Sequence, residues 1–198
     1  DELTRAVPPQ VPSRRLILAS ASPRRARILE SLGLSFEVSP ADVDESLLPR
    51  EAPRAAVRRL ARRKALVPSR QAGDCVIAAD TVVVVGSKIL NKPEDAADAR
   101  RMLRSLSGRT HTVMTGVSVA WGLKVATVVD VTEVRFRKMD EGEIARYVRT
   151  GEPMDKAGAY HVEGGGAAFI ESIHGSPSNV AGLSVTSARR LLKRAGIL

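Results

Sequence analysis

The alternation of apolar and polar positions divides the chain into short segments in which strand and helix periods interleave. An apolar run over residues 14–20 predicts a strand that passes straight into a helix over 23–32, closed by Gly33. Ser22 has N-cap chemistry there, and Pro23 suits the first helical position. Residues 35–39 predict a second short strand, followed by the acidic loop Asp42-Val43-Asp44-Glu45. Apolar positions at Val57, Leu60 and Ala61 give residues 53–67 a helical period. Residues 75–85 are an almost continuous apolar run of strand length, which predicts a central strand. A helix over 94–106 follows, opening on Pro93 and ending near Gly108. Two long antiparallel strands over 110–120 and 125–136 flank Trp121-Gly122. The remainder reads as a helix over 140–150, short strands over 157–161 and 168–173, and a last helix over 184–195. The result is an α/β fold, a mixed sheet with flanking helices and an antiparallel hairpin in mid-chain.

Three places break the pattern, and such breaks tend to fall at functional sites. Asp80 interrupts the apolar run Val76-Ile-Ala-Ala-Asp80-Thr-Val-Val-Val-Val85. A carboxylate in that setting is costly unless it meets a cation, a metal or several donors, or caps a turn at a strand end. Lys64 follows Leu60 by four residues and Ala61 by three, so it shares the apolar face while the neighbouring arginines point away. It either snorkels to the rim of the core or reaches into a site. The third place is a pair of glycine-rich segments, Glu163-Gly164-Gly165-Gly166 and Gly175-Ser176-Pro177-Ser178-Asn179. Such segments admit a ligand close to backbone, and they also make ordinary turns.

Composition narrows the function classes. The chain has 198 residues, 43% of them apolar, enough for one sizeable core or two small lobes. No apolar run reaches the ~18 residues of a membrane span. Residues 1–13 carry two acids and three prolines and read as a disordered leader, leaving residues 14–198 as a single domain. The lone Cys75 excludes an intramolecular disulfide and a multi-cysteine zinc site, and a cytoplasmic setting is expected. A net charge of +9 calls for an anionic partner. Aromatic residues are only 3% of the chain, too sparse for a platform that stacks nucleic-acid bases. Much of the charge lies in Arg58, Arg59, Arg62 and Arg63, and a small polyphosphate accounts for a basic pocket as well as nucleic acid does.

The strand–turn–helix segment Leu16-Ile-Leu-Ala-Ser20-Ala-Ser22-Pro23-Arg24-Arg25 has the form of a phosphate cradle. Its two arginines oppose the helix dipole and make the local field strongly positive. Lys92, in Asn91-Lys92-Pro93-Glu94-Asp95, precedes another helix start. Asp155-Lys156-Ala157-Gly158-Ala159-Tyr160 reads as a turn with a charged pair and is silent about chemistry. His111, His161 and His174 show neither metal-ligand nor triad spacing and read as structural or peripheral.

Together these motifs resemble the Maf-like nucleoside triphosphate pyrophosphatases, also called septum formation inhibitor Maf. The match comprises LILASASPRR at 16–25, DVDE at 42–45, LARRKA at 60–65, AADTVV at 78–83, NKPED at 91–95, SGRTHTVMTG at 107–116, DKAGAY at 155–160 and GSPSNVAGL at 175–183. The resemblance implies an inosine-triphosphatase-like (Maf/Ham1) fold, an elongated mixed sheet with two lobes around a cleft, and a homodimer. It implies hydrolysis of a nucleoside triphosphate between its α- and β-phosphates, giving a monophosphate and pyrophosphate with a divalent metal such as Mg²⁺ or Mn²⁺. It casts Ser20, Ser22, Arg24, Arg25 and Lys64 as the phosphate-binding set. Lys92 joins Glu45 and Asp80 in the catalytic set, and the two carboxylates take the metal and water-activation roles. The motifs are similar to the dTTP/UTP branch, but Glu163 stands where that branch typically has glutamine. Glutamine donates and accepts, whereas ionised glutamate only accepts, so a Glu163 facing the base or the attacking water shifts specificity or rate. Asn91 and Ser184 depart from the family pattern at positions peripheral to the chemistry. The alternatives are a 7-methyl-GTP preference, or a non-catalytic nucleotide- or nucleic-acid-binding regulator of cell division.

Overall fold

The computed structural model describes residues 14–68 and 71–198, and the expected leader over 1–13 lies outside the described residues. The elements are β1 (Leu16–Leu18), α1 (Pro23–Ser31), β2 (Glu37–Val38), α2 (Pro53–Leu66), β3 (Cys75–Val85), β4 (Lys88–Leu90), α3 (Ala96–Leu106), β5 (Thr110–Trp121), β6 (Lys124–Phe136), α4 (Glu141–Arg149), β7 (Ile170–His174), α5 (Pro177–Val180) and α6 (Val185–Arg194). Three 3₁₀ turns, Glu152–Asp155, Ala157–Ala159 and Gly165–Phe169, lie between α4 and β7.

The strands form one seven-stranded mixed sheet in the order β2-β1-β3-β5-β6-β7, with β4 also on β3. β3 is central, as its unbroken apolar run predicts, and β5 pairs with it antiparallel from Cys75 to Val84. Its other edge is divided. Parallel β1 covers Cys75 to Ile77, and antiparallel β4 takes up the edge again from Val83 to Val85. Asp80 falls in the interval between them.

Strand alternation sends successive β3 side chains to opposite faces. Cys75, Ile77 and Ala79 enter a core with Leu16, Leu18, Leu29 of α1 and Leu191 and Leu192 of α6. Val83 and Val85, farther along the same face, enter a second core with Leu103 of α3, Ile144 of α4, Phe136 and Tyr160. Val76 and Ala78 face the other way and pack with Ala65 of α2. The two cores on one face are the two lobes, and the cleft opens where β3 passes from one to the other.

Several boundaries differ from the periodicity, each for a local reason. α3 begins at Ala96 rather than at residue 94, because the Asp95 carboxylate caps it by accepting from the Asp98 N–H at 2.7 Å. The expected strand over 157–161 is a 3₁₀ turn instead. Gly158 (φ 71°) and Ala159 (φ 62°) adopt left-handed backbone that a strand cannot contain. A side chain at Gly158 would lie within 2.8 Å of Val83, so the turn sits directly on β3. The expected strand over 168–173 begins at Ile170, after the 3₁₀ turn Gly165–Phe169. β4 and α5 are too short to show a period.

Two packing features generate predictions. Gly116 on β5 pairs with Asp80, and a Cβ there would lie 2.2 Å from the Val57 carbonyl of α2. Gly116→Ala is expected to push α2 from the sheet at a cost of roughly 1–3 kcal/mol, visible as a lowered Tm. An unchanged Tm would refute the close approach. His111 is buried, 2.8 Å from the Tyr160 hydroxyl and edge-on to Phe136, and burial pushes its pKa down to about 4. The unfolded chain therefore takes up this proton near pH 6.5 and the folded protein only near 4, so stability falls as pH drops through that window. In urea unfolding between pH 7 and 5, His111→Gln is expected to flatten this slope, which is at most about 1.4 kcal/mol per pH unit for one proton.

Candidate active site

A cleft of about 520 Å³ lies along the open interval of β3. Ser20, Ser22, Arg24, Arg25, Glu45, Lys64, Asp80 and Lys92 all line it. Glu163 does not. It is exposed, outside the lining, and its backbone N–H donates to His161 Nδ1 at 3.3 Å. Here Glu163 faces neither the base nor the attacking water, because the chain turns after Val162 and carries that side chain to solvent.

The phosphate-cradle segment forms as its residues require. Ser22 caps α1, its hydroxyl accepting from the Arg25 N–H at 3.4 Å, and its own N–H donates to Ser20 Oγ at 3.2 Å. No acidic residue occupies the first turn, so the helix N-terminus and both arginines present positive charge to the cleft. Arg25 is held on three sides. Its guanidinium donates to the Gly182 carbonyl at 2.8 Å, Ser20 Oγ at 3.2 Å and Thr81 Oγ1 at 3.1 Å. Burial lowers its pKa against the opposing charge of Asp80.

Donor arithmetic fixes the direction of the hydrogen bonds behind Arg25. Thr115 Oγ1 donates to the Asn179 carbonyl at 3.2 Å, which uses its only proton, so Thr81 must donate in the 2.9 Å contact between the two hydroxyls. Thr81 then accepts from Arg25. The relay thus runs from Arg25 through Thr81 and Thr115 to Asn179, whose side chain donates to Thr132 Oγ1 at 2.9 Å. The second glycine-rich segment, 175–183, therefore anchors a cleft arginine.

Asp80 meets its cation from the opposite face of the sheet. Lys64 projects from the buried side of α2 and places Nζ 2.7 Å from Asp80 Oδ1 and 2.8 Å from Glu45 Oε1. The loop that carries Glu45 is itself tied to α2. Arg59 donates to the Ser46 carbonyl at 3.0 Å, and Arg63 to the Asp44 carbonyl at 3.3 Å. Two of the arginines that point away from the apolar face of α2 thus position an acidic side chain. Burial pushes the Glu45 pKa up, but the Lys64 hydrogen bond and the charges of Lys64, Lys92 and Arg25 outweigh it and leave it below the ordinary value.

The second lobe contributes residues that the sequence left silent. Lys156 is buried at the cleft wall, and its Nζ lies 2.5 Å from Asp155 Oδ1 and 2.7 Å from the Glu152 carbonyl. Tyr160 and His161 also line the cleft, so His161 is not peripheral. The first glycine-rich segment is occupied by the protein's own carboxylate. Glu152 accepts from the N–H groups of Gly165 at 3.1 Å and Gly166 at 3.3 Å, and a Cβ on Gly164 would lie 2.1 Å from it.

Glu45 and Asp80, which meet at Lys64 Nζ, are hard oxygen donors of the kind a divalent cation takes when it completes its shell with substrate phosphates and water. No group of three His, Cys, Asp or Glu able to hold a metal by itself occurs among the described residues.

Thr115→Val would remove the donor to Asn179 and the acceptor for Thr81 at constant volume. The expected result is a loss of about 1–3 kcal/mol in stability and a raised KM for an anionic substrate as Arg25 loosens. Wild-type KM in a folded variant would detach the relay from the site.

Residues 15–195 match the family described as Maf-like protein. A protein of Anaeromyxobacter dehalogenans strain 2CP-1 named dTTP/UTP pyrophosphatase is 54% identical over 188 residues, covering 92% of this chain and 94% of its own. Proteins of the same name from Myxococcus xanthus and Aquifex aeolicus are 50% and 45% identical, covering 92% and 93% of this chain and 93% and 97% of their own. Among solved structures, a HAM1 protein from Coxiella burnetii overlaps 91% of this chain and 99% of its own at 15% identity and a TM-score of 0.49.

Proposed function

The chain belongs to the Maf-like protein family, and from that premise we propose that it is a nucleoside triphosphate pyrophosphatase. It converts dTTP or UTP to the monophosphate and pyrophosphate, within a catalytic unit spanning residues 14–198. The observation that carries this reading is the cleft itself, which Arg24, Arg25, Lys64, Lys92 and Lys156 line together with the mid-strand carboxylate Asp80. A triphosphate carries about four negative charges, and arginine forks and lysine point charges are the groups that neutralise them. The names of the relatives favour the pyrimidine branch over 7-methyl-GTP.

In the proposed mechanism the phosphate chain lies between the α1 N-terminus and Lys64, with Lys92 at the leaving pyrophosphate. A water molecule, oriented by Asp80, attacks the α-phosphorus. Its oxygen forms the new P–O bond while the bond to the bridging oxygen breaks, and its proton passes to Asp80. The buried surroundings of Asp80 keep bulk water from competing. A divalent ion held by Glu45 and Asp80 would neutralise phosphate charge and polarise the phosphoryl group. A cytoplasmic setting and a homodimer belong to the same reading, supported by the family resemblance. Among the described residues, no helix is long and apolar enough to cross a membrane.

The test is a nucleotide panel of dTTP, UTP, modified pyrimidine triphosphates and 7-methyl-GTP with Mg²⁺ or Mn²⁺, quantifying both products. Equimolar monophosphate and pyrophosphate, with the highest kcat/KM on a pyrimidine, is the expected outcome. Asp80→Asn should lower kcat by roughly 10²–10⁴-fold. Turnover of none of these nucleotides by folded, metal-loaded protein would sink the reading, and near-normal kcat in the variant would remove Asp80 as the base.

A further inference from the structure

Each lobe brings cations to the cleft, and one carboxylate joins the two sets. Arg24 stands at the N-terminus of α1 in the first lobe, and Lys156 in the 3₁₀ region of the second. Asp155 takes both, with Oδ2 at 3.5 Å from Arg24 and Oδ1 at 2.5 Å from Lys156. The arginine and lysine side chains are only 16% and 10% exposed, while the aspartate is 62% exposed. Two largely buried cations thus share one exposed anion at the mouth of the cleft. His161 feels the same field, its pKa lowered first by burial and then by the charges of Arg24 and Lys156. Asp155 contributes no hydrogen bond to the packed interior of either lobe among those described, so its side chain can leave without opening a core.

We propose that Asp155 is an internal stand-in for substrate phosphate, holding Arg24 and Lys156 on opposite walls until the phosphate chain displaces it. The idea rests on the polyphosphate reading of the cleft and adds Lys156 to the groups that touch the substrate. A phosphate group presents more charge and more acceptor oxygens than one carboxylate, so it takes over both cations while Asp155 turns to solvent. The cost is affinity. In the free protein the binding-competent arrangement is only part of the population, and the apparent Kd rises by the inverse of that fraction. The gain is release. When pyrophosphate begins to leave, Asp155 re-enters and competes for the same cations, so product does not hold the site closed. Asp155 is in this sense a positioning residue that acts through Arg24 and Lys156.

Calorimetric binding of inorganic tripolyphosphate without added metal, together with steady-state kinetics on dTTP with Mg²⁺, tests this. Asp155→Asn keeps the shape and removes the charge, and Asp155→Ser removes the reach as well. Both are expected to bind tripolyphosphate roughly 1.5- to fivefold more tightly than wild type, the range of an exposed ion pair. Both should lower the KM for dTTP by a similar factor and strengthen product inhibition by pyrophosphate, with kcat unchanged or lower. Lys156→Met should weaken tripolyphosphate binding. Unchanged or weaker binding in folded Asp155 variants would overturn the proposal. So would a raised Mg²⁺ requirement with unaltered tripolyphosphate affinity, which would make Asp155 a metal ligand. Tighter tripolyphosphate binding in a protein that hydrolyses no nucleotide would leave this exchange standing and remove the pyrophosphatase reading instead.

Discussion

The buried contact between Lys64 and Asp80 is the constraint around which the rest of the site is arranged. A carboxylate in the middle of a central strand costs several kcal/mol unless it is compensated, and breaking a buried pair by removing one partner costs about 3–5 kcal/mol. The sheet must therefore leave room for a cation at this point, and the helix that supplies it must lie close. Gly116, paired with Asp80 across the strands, removes the side chain that would otherwise hold α2 away. The division of the β3 edge between β1 and β4 leaves the same stretch open to the cleft.

This arrangement explains why the cleft is reached from both faces of one sheet. Asp80 and Thr81 are consecutive and so point in opposite directions. Asp80 meets Lys64 from α2, while Thr81 meets Arg25 from α1. Were the edge covered by a continuous strand, those two cations would be separated by the sheet. Because it is open, they converge on one space. Two cores, one on each side of the interval, give the walls separate supports and place the phosphate-cradle helix on one lobe and Lys156 on the other.

The electrostatics of the free protein follow from the same geometry. A cleft built for a highly charged anion would be self-repelling if its cations stood alone. The fold pairs Lys64 with Asp80 and Glu45, and Arg24 and Lys156 with Asp155. The arginines of α2 that made the sequence look like a polyanion binder are partly spent on holding the Glu45 loop. Net charge alone did not distinguish these uses, since a guanidinium bound to a backbone carbonyl contributes to it as fully as one in solvent.

Much of the site was legible because its residues violate local rules. An aspartate inside a valine run, a lysine on the apolar face of a helix, and arginines where a helix start favours acids each declare a compensating partner somewhere. The amphipathic periods likewise determined β3, α2 and the β5–β6 hairpin to within a residue or two. What the sequence by itself could not determine was which partners meet. Residues 155–160 read as a turn and 157–161 as a strand, because left-handed backbone at Ala159 leaves no compositional mark to decide between them, and Lys156 just before the 3₁₀ turn has no period to show that it is buried. The place of Glu163 in a motif does not say which way it faces, and the turn after Val162 sends it to solvent. The Arg25 relay joins residues 25, 81, 115 and 179, which are brought together only by strand register and helix packing. Local propensity acts over a few residues and fixes the elements. The free energy that selects contacts across the chain comes from burying two cores at once, and only the tertiary structure decides that.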